Sequence, residues 1–275
     1  MTTVLHVSDV HFGAPAVLAQ VDALEGMMRN ERFDVVAVSG DLSQRARPGE
    51  LQRARTFLRD ARATSAVIVV PGNHDVKWWR APLGIGDRRG LYANYRRYID
   101  ENLEPVLRVP GVTFVGLNTA HGVMPHTLTW NPRDIGVVGG LTAAQVAHAR
   151  EEFERSPAGD LRAIVMHHNP LKGELSRRFG LSRPRRALGA WDALGVDLIM
   201  SGHDHQEAVH FVPWTSGGGG TVILTAGTVS DRSRGKRPPS VHVVTLDRAC
   251  IGVTTWIWSA GARDFRPGPV QTFPR

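Results

Sequence analysis

Five short runs of apolar, β-forming residues are each followed directly by histidine, aspartate or asparagine side chains. The apolar runs are Val4–Val7, Val35–Val38, Ala66–Val70, Ala163–Met166 and Leu198–Met200. The polar segments after them are Asp9-Val10-His11, Gly40-Asp41, Gly72-Asn73-His74-Asp75, His167-His168 and Gly202-His203-Asp204-His205. Polar groups at the carboxyl ends of parallel strands face one crevice of an open α/β sheet. The pattern therefore predicts an α/β fold with one site built from distant parts of the chain.

The segments between the apolar runs indicate helices. Apolar residues recur at helical spacing within residues 16–30, and Pro48 begins a second helix that extends to Arg62. Thr142 and Gln145 form a capping box for a later helix. The alternation of strand and helix in the first half implies parallel pairing. Four further strands without helices between them, at 208–214, 221–226, 241–246 and 251–258, predict a second sheet packed against the first.

Length and composition limit the class of protein. A chain of 275 residues with 42% hydrophobic and 21% charged residues is typical of a globular protein, and we expect a single domain over residues 1–265. Residues 266–275 are expected to form an irregular tail. The single cysteine, Cys250, excludes an internal disulfide, and the sequence shows neither a secretory signal nor a membrane span. A soluble cytoplasmic protein is the expectation.

The chain has a formal net charge of +7, which favours acidic partners. Phosphorylated metabolites, nucleic acid and an anionic membrane surface all fit this charge. An arginine-rich composition inherited from a GC-rich genome explains it equally well.

The polar segments contain the side chains that transition metals bind. Asp9 and His11 are two residues apart at a strand end, so both side chains point to one side if the extended geometry continues. Asp41 has two carboxylate oxygens and can bridge two cations, and Asn73 offers a neutral amide oxygen. This sulfur-free set suits two divalent or trivalent ions, Mn²⁺ or Fe being favoured and Zn²⁺ or Co²⁺ being alternatives.

The ordered motifs Asp-x-His, Gly-Asp, Gly-Asn-His-Asp, His-His and Gly-His-x-His resemble the calcineurin-like metallophosphoesterase superfamily. The match spans residues 9 to 205. The compact length and the forms Gly-Asn-His-Asp and His-His-Asn-Pro are most similar to bacterial class III cyclic-nucleotide and glycerophosphodiester phosphodiesterases. The resemblance implies a four-layer αββα sandwich, with two mixed β-sheets flanked by helices.

The resemblance also implies a role for each site residue. One metal would be held by Asp9, His11, Asp41 and His205. The other would be held by Asp41, Asn73, His167 and His203. A hydroxide bridging the two cations would attack phosphorus. His74 would be the general acid or a donor to a phosphate oxygen, and Asp75 would orient it.

Several assignments stay open at this stage. His167 is favoured over His168 as the ligand, and His168 would then face the substrate together with Asn73 and His74. Trp78 either forms a wall of the substrate pocket or packs in the core of an inserted segment. Arg177 begins an arginine cluster that either reaches the substrate phosphate or is solvated. The second basic cluster, Arg232, Arg234, Lys236 and Arg237, is expected to be a surface loop.

The sequence thus predicts a dinuclear metal-dependent phosphodiesterase acting on a small diester such as a cyclic nucleotide. A nucleotide–lipid pyrophosphatase at the membrane surface and a DNA nuclease are the enzymatic alternatives, although nucleic acid is not the favoured partner. A non-catalytic metal-binding scaffold is the third reading, and the complete set of motifs counts against it. A dimer is compatible with the sequence, which does not fix the oligomeric state.

Overall fold

The strands of this chain are divided between two six-stranded β-sheets, as seen in a computed structural model that describes residues 1–85, 87–128, 135–235 and 237–275. The strands are β1 (Thr2–Val7), β2 (Val35–Val38), β3 (Ala66–Val69), β4 (Val106–Val109), β5 (Val112–Leu117), β6 (Leu161–His168), β7 (Leu198–Gly202), β8 (Ala208–Pro213), β9 (Gly220–Thr225), β10 (Ser240–Leu246), β11 (Cys250–Ser259) and β12 (Asp264–Pro274). The α-helices are α1 (Leu18–Asn30), α2 (Pro48–Arg62), α3 (Arg88–Leu91), α4 (Ala93–Tyr98), α5 (Ala143–Glu154) and α6 (Pro184–Ala193).

Both sheets are mixed. The first has the order β12-β11-β10-β1-β2-β3, in which β1, β2 and β3 are parallel and β10 to β12 are antiparallel. The second has the order β4-β5-β6-β7-β9-β8, with parallel pairing from β5 to β9 and an antiparallel strand at each edge. The five apolar runs are therefore shared out, three to the first sheet and two to the second.

Alternating side chains on each strand fill three apolar layers. In β1, Leu5 belongs to the same buried cluster as Val21 of α1 and Phe57 of α2, whereas Val4 belongs to the cluster between the sheets. Residues such as Phe114 and Val165 fill the layer between the sheets. On the far side of the second sheet, α5 and α6 pack through further buried apolar residues. The four-layer αββα sandwich is confirmed.

The four terminal strands do not form a sheet of their own, so that prediction was wrong. β8 and β9 complete the second sheet, because β9 pairs in parallel with β7. β10 to β12 extend the first sheet, because β10 pairs antiparallel with β1. The segment between β9 and β10 therefore crosses from one sheet to the other.

The expectation of an irregular tail at 266–275 was also wrong, because all of these residues except Arg275 belong to β12. Pro267 and Pro269 suggested a break, but β12 is the edge strand, where proline interrupts fewer ladder hydrogen bonds. Phe265 packs on Trp258 and Phe273 stacks on Phe211 of the second sheet, at ring-centroid distances of 5.5 and 5.9 Å. Aromatic packing thus holds both ends of the strand.

The capping box at the start of α5 is confirmed. Gln145 N donates to Thr142 Oγ1 at 3.2 Å, and Thr142 N donates to Gln145 Oε1 at 2.9 Å. The segment 119–140 includes a short 3₁₀ turn at Pro125–Thr127. Its residues 129–134, and Lys236 of the second basic cluster, lie outside the described residues. None of the described helices is long and apolar enough to cross a membrane.

Candidate functional site

The polar segments at the carboxyl ends of β1, β2, β3, β6 and β7 meet at one end of the sandwich. Glycine lets them approach closely: a Cβ on Gly72 would collide with Asp41, and a Cβ on Gly202 would collide with Ser8 and Asp9. The first sheet supplies three of the segments and the second sheet supplies two. The site therefore lies across the boundary between the two sheets.

Four side chains form a first cluster in which one donor atom of each lies within 4.8 Å of the others: Asp9, His11, Asp41 and His205. The Nε2 atoms of His11 and His205 are 3.0 Å apart. Asp9 Oδ1 lies 3.1 Å from His205 Nε2, and Asp41 Oδ2 lies 3.7 Å from His11 Nε2. All four side chains are almost completely buried.

A second cluster is built around the amide of Asn73. Asn73 Oδ1 is 3.1 Å from both His167 Nε2 and His203 Nδ1, and these two nitrogens are 3.3 Å apart. Asp41 Oδ2 is 3.4 Å from His167 Nε2. One carboxylate oxygen of Asp41 thus faces nitrogens of both clusters.

Main-chain groups fix the orientation of these side chains. His167 Nδ1 donates to the carbonyl of Ser39 at 2.8 Å, and His205 Nδ1 donates to the carbonyl of Arg232 at 3.0 Å. In the neutral imidazoles, Nε2 is then an acceptor that points into the site. Asp9 Oδ2 accepts from the amide of His203 at 2.9 Å, which leaves Oδ1 facing the cluster.

The resulting arrangement fits a pair of cations. Within the described part of the chain, buried Asp9 Oδ1 has no hydrogen-bond donor, although it lies against the nitrogen of His205. Acceptor atoms at such distances repel each other unless a proton or a metal ion lies between them. Carboxylate, imidazole and amide oxygen donors without sulfur suit first-row transition metals. The residues present could therefore hold two such ions.

Strained backbone is concentrated in the same place. Of the ten non-glycine residues with positive φ among those described, five are predicted ligands: Asp9, His11, Asp41, His203 and His205, with φ between 49° and 71°. Such conformations are uncommon for residues with a side chain and tend to cluster at functional sites. The backbone strain in these turns therefore lowers local stability, and it directs these side chains into the site.

The charges of the site are strongly coupled. Although burial opposes ionisation, the neighbouring imidazoles hold the pKa of Asp9 and Asp41 below the usual range. Burial also opposes the charge of His167, yet Asp41 and Asp9 raise the pKa of His167 to about 9. Burial and the proximity of His167 lower the pKa of His203 to about 3. Without a cation, the two carboxylates thus favour a proton on His167.

Cation binding should consequently release a proton from His167. Because the raised pKa of about 9 keeps His167 protonated at lower pH, affinity for Mn²⁺ should rise with pH until about pH 9 and then level off. If one proton is displaced for each cation bound, the affinity should increase about tenfold per pH unit. Calorimetric titration at several pH values, in buffers with different ionisation enthalpies, measures both quantities. A pH-independent affinity without proton release would contradict this account of His167.

His74 lies beside the first cluster, with its ring edge-on to His11 at 4.9 Å between centroids. Its Nδ1 donates to the carbonyl of Gln44 at 2.7 Å. Its Nε2 accepts from Arg232 Nη1 at 3.2 Å, and the same guanidinium nitrogen donates to Gln44 Oε1 at 3.1 Å. His74 is therefore at the site, and its Nε2 is the ring atom directed away from the main chain.

Asp75 does not orient the His74 ring, so the role predicted for it was wrong. Among the described residues, its carboxylate accepts from the amides of Leu42, Ser43 and Gly72 at 2.7–3.1 Å, and from the Ser43 hydroxyl. Burial and the charge of Asp41 raise the pKa of Asp75 to about 6. Asp75 ties the turn that carries Asp41 to the turn that carries Asn73, and its effect on the site is positional.

Arg232 is the site residue that sequence reasoning missed, since it was assigned to a surface loop. The segment after β9 reaches the first cluster, because Thr228 Oγ1 donates to the carbonyl of Asp9 at 2.7 Å. Two residues further on, Ser230 Oγ accepts from the amide of Arg232 at 3.3 Å. An available signal was the sixth repetition of the pattern: apolar β9 is also followed by a polar segment.

Of the other predicted substrate residues, His168 lies against the second cluster, with a ring nitrogen within 4.8 Å of donor nitrogens of His167 and His203. His168 is fully buried, and its Nδ1 is 2.7 Å from Thr119 Oγ1, so its burial argues against contact with substrate. Its ring lies 4.6 Å from the His203 ring. Trp78 packs with a small apolar cluster and against Gly136, which favours the core reading. Arg177 is exposed and has a left-handed backbone.

Comparisons with known proteins agree with this architecture. A family model described as calcineurin-like phosphoesterase matches residues 2–207. No curated protein matches the sequence. A purple acid phosphatase from yellow lupin (Lupinus luteus) seeds aligns over 100% of this chain at 14% identity, with a TM-score of 0.69. This chain spans about half of that protein, 54% of its length.

A second solved structure is GAP50, described as the anchor in the inner membrane complex of Plasmodium. It aligns over 99% of this chain and 88% of its own at 13% identity, with a TM-score of 0.61. At these identities the two structures establish a shared fold.

Proposed function

Because this chain belongs to the calcineurin-like phosphoesterase family, we propose that it hydrolyses a small phosphodiester, such as a cyclic nucleotide or a related diester, at the two clusters. In this proposal Asp9, His11, Asp41 and His205 hold one cation. Asp41, Asn73, His167 and His203 hold the other. The observation that carries the proposal is the single oxygen, Asp41 Oδ2, that faces nitrogens of both clusters.

Two bound cations would lower the pKa of water and neutralise charge on the phosphate. The protein contributes the geometry. Carbonyl groups of Ser39 and Arg232 hold the imidazoles of His167 and His205 with Nε2 directed inward. Asp75 joins the turns that carry Asp41 and Asn73, which keeps the two clusters in register.

His74 and Arg232 are proposed to bind the substrate phosphate. The guanidinium of Arg232 has five N–H donors in a planar fork, and Nη1 already contacts His74 and Gln44. Its other donors have no hydrogen-bond partner within the described ranges and can reach phosphate oxygens. When Arg232 turns to a bound phosphate, His74 Nε2 is released to contact a phosphate oxygen or to exchange a proton with the leaving group.

A nucleotide–lipid pyrophosphatase is the second candidate. The segment that follows His74 has apolar side chains in contact with solvent, among them Trp79, which is 52% exposed, and Ile85, which is 74% exposed. A lipid or a membrane surface would cover such side chains. A cytoplasmic location remains part of the proposal and rests on the sequence alone, as does the compatibility with a dimer.

Hydrolysis assays on protein reconstituted with Mn²⁺ or Fe test the proposal. The panel contains bis(p-nitrophenyl) phosphate, cyclic mononucleotides, glycerophosphodiesters, nucleoside-diphosphate lipids and single-stranded DNA. We expect metal-dependent hydrolysis of the small diesters. Preference for the lipid substrates would select the pyrophosphatase, and salt-sensitive cleavage of DNA would select a nuclease. Protein that binds no metal and cleaves none of them would be the scaffold.

A further inference from the structure

A cavity of about 470 Å³ lies beside the candidate centre and shares His203 with it. Val138 and Phe179 contribute to its wall, and Arg183 also lines it. Its size is within the range of cavities that bind small organic ligands. The cavity is therefore large enough for a nucleotide-sized group attached to a phosphate at the centre.

The wall of this cavity offers an aromatic surface. Phe179 is 46% exposed, although phenylalanine is usually buried in a folded protein. Gly180 follows it and passes so close to His203 that a Cβ would lie 2.9 Å from the His203 ring. Phe179 is thus held next to the centre by the main chain. An exposed aromatic ring in this place suits stacking with a planar base.

The charge of the cavity is positive. Arg234 lies 3.5 Å from the carboxylate of Asp204, so these two charges compensate each other. Arg183, in contrast, makes no hydrogen bond or ion pair through its guanidinium with any residue in the described ranges. A cation without a protein partner on the wall of a cavity favours an anionic ligand. Its planar fork is well matched to phosphate oxygens.

The backbone at Arg183 is held in an unfavourable conformation. Its φ is +51°, and Pro184 follows it, although residues before proline disfavour helical conformations. The preceding main chain is fixed by hydrogen bonds from Ser182 N to Gly139 O at 2.9 Å and from Leu181 N to Asn169 O at 3.1 Å. A glycine would fit this position with less strain. An arginine in such a strained conformation points to a use for its side chain.

We propose that this cavity binds one arm of the substrate, that this arm is nucleotide-like, and that it carries a second phosphate which Arg183 contacts. The inference rests on the proposed function, because it places the scissile phosphate at the two clusters. A cyclic mononucleotide has a single phosphate and leaves Arg183 without a ligand. The preferred substrates would therefore be short dinucleotides with a terminal phosphate.

Kinetics on three dinucleotides test this preference in the Mn²⁺-reconstituted protein. The substrates are ApA, which has no terminal phosphate, and its phosphorylated forms pApA and ApAp. We expect kcat/KM for at least one phosphorylated form to exceed that for ApA by about tenfold or more, as for one charge-assisted hydrogen bond. Equal kcat/KM values for all three substrates would overturn the proposal.

The variant Arg183→Gly tests whether the preference for a terminal phosphate depends on the Arg183 side chain. Glycine accepts the positive φ, so the change removes the guanidinium without adding backbone strain. The ratio of kcat/KM between the phosphorylated and the plain dinucleotide should fall to about one. The control is Arg185→Ala, an exposed arginine of α6 that does not line this cavity, and it should keep the wild-type ratio. An unchanged ratio in Arg183→Gly would reject Arg183 as the phosphate contact.

Equilibrium binding separates this inference from the proposed function. Calorimetry with adenosine 3′,5′-bisphosphate and adenosine 5′-monophosphate needs no turnover. About tenfold tighter binding of the bisphosphate, lost in Arg183→Gly, would support the cavity site even if none of the dinucleotides is hydrolysed. Equal affinities for both ligands in the wild-type protein would overturn the site, whatever the hydrolysis assays show.

Discussion

Asp41→Ala should lose cation binding and hydrolysis together. Asp41 Oδ2 lies 3.4 Å from His167 Nε2 and 3.7 Å from His11 Nε2, so its removal deprives both clusters of a ligand at once. We expect phosphodiester hydrolysis to fall by more than about 1,000-fold. Metal content measured by mass spectrometry after dialysis, together with hydrolysis of bis(p-nitrophenyl) phosphate, gives both readouts.

Two further variants separate the charge of Asp41 from its backbone. Asp41 has a φ of 52°, which alanine adopts at a cost of about 1–2 kcal/mol, whereas asparagine tolerates it better. Asp41→Asn should therefore melt close to the wild type and still bind cations at least about 100-fold more weakly. Asp22→Ala, an exposed position on α1, is the control. Wild-type activity in Asp41→Ala would refute the bridging assignment.

His74→Ala should retain the cations and lose most turnover. The His74 ring packs edge-on against His11, and it is proposed to act on the phosphate rather than on a cation. We expect kcat to decrease about 10²- to 10⁴-fold, the usual contribution of a positioned acid or base. Metal content and kcat measured on the same preparation test this separation. His210→Ala, on the exposed face of β8, should change neither quantity.

The contact between His74 and Arg232 provides an internal check. Because Arg232 Nη1 lies 3.2 Å from His74 Nε2, the two side chains should act on the phosphate as a unit. The double variant His74→Ala, Arg232→Ala should therefore show a smaller fold-loss of activity than the product of the fold-losses in the two single variants. Fully multiplicative losses would mean that the two residues act independently. Loss of metal in His74→Ala would move His74 into the ligand set.

The predictable part of this fold is the part that local periodicity encodes. The helix at Pro48–Arg62 was predicted with the bounds that the structure has. The seven predicted ligands meet because each follows an apolar strand, and strand ends collect at one edge of a sheet. Their role as ligands remains a proposal. The structure adds interatomic distances, histidine tautomers and backbone strain, which cannot be predicted from the spacing of residues along the sequence.

The parts that were missed depend on contacts between distant segments. β9 and β10 are both apolar runs, and only their partners, β7 and β1, decide which sheet each joins. Asp75 follows His74 directly, yet its hydrogen bonds lead to the turn after β2. Arg232 belongs to a basic run typical of a solvated loop, and it becomes a site residue through its carbonyl contact with His205. Contacts of this kind join segments that are far apart in the sequence, so they cannot be predicted from local sequence patterns.

Because the two clusters lie across the boundary between the sheets, cation binding would affect how firmly the two sheets are held together. In the proposed assignment, His205 is the second sheet's contribution to the first ion, and Asp41 and Asn73 are the first sheet's contribution to the second. Each ion would then act as a cross-link whose binding free energy adds to the docking of the sheets. Metal occupancy and inter-sheet adhesion would be thermodynamically linked, so that interior substitutions far from the catalytic surface could alter metal retention.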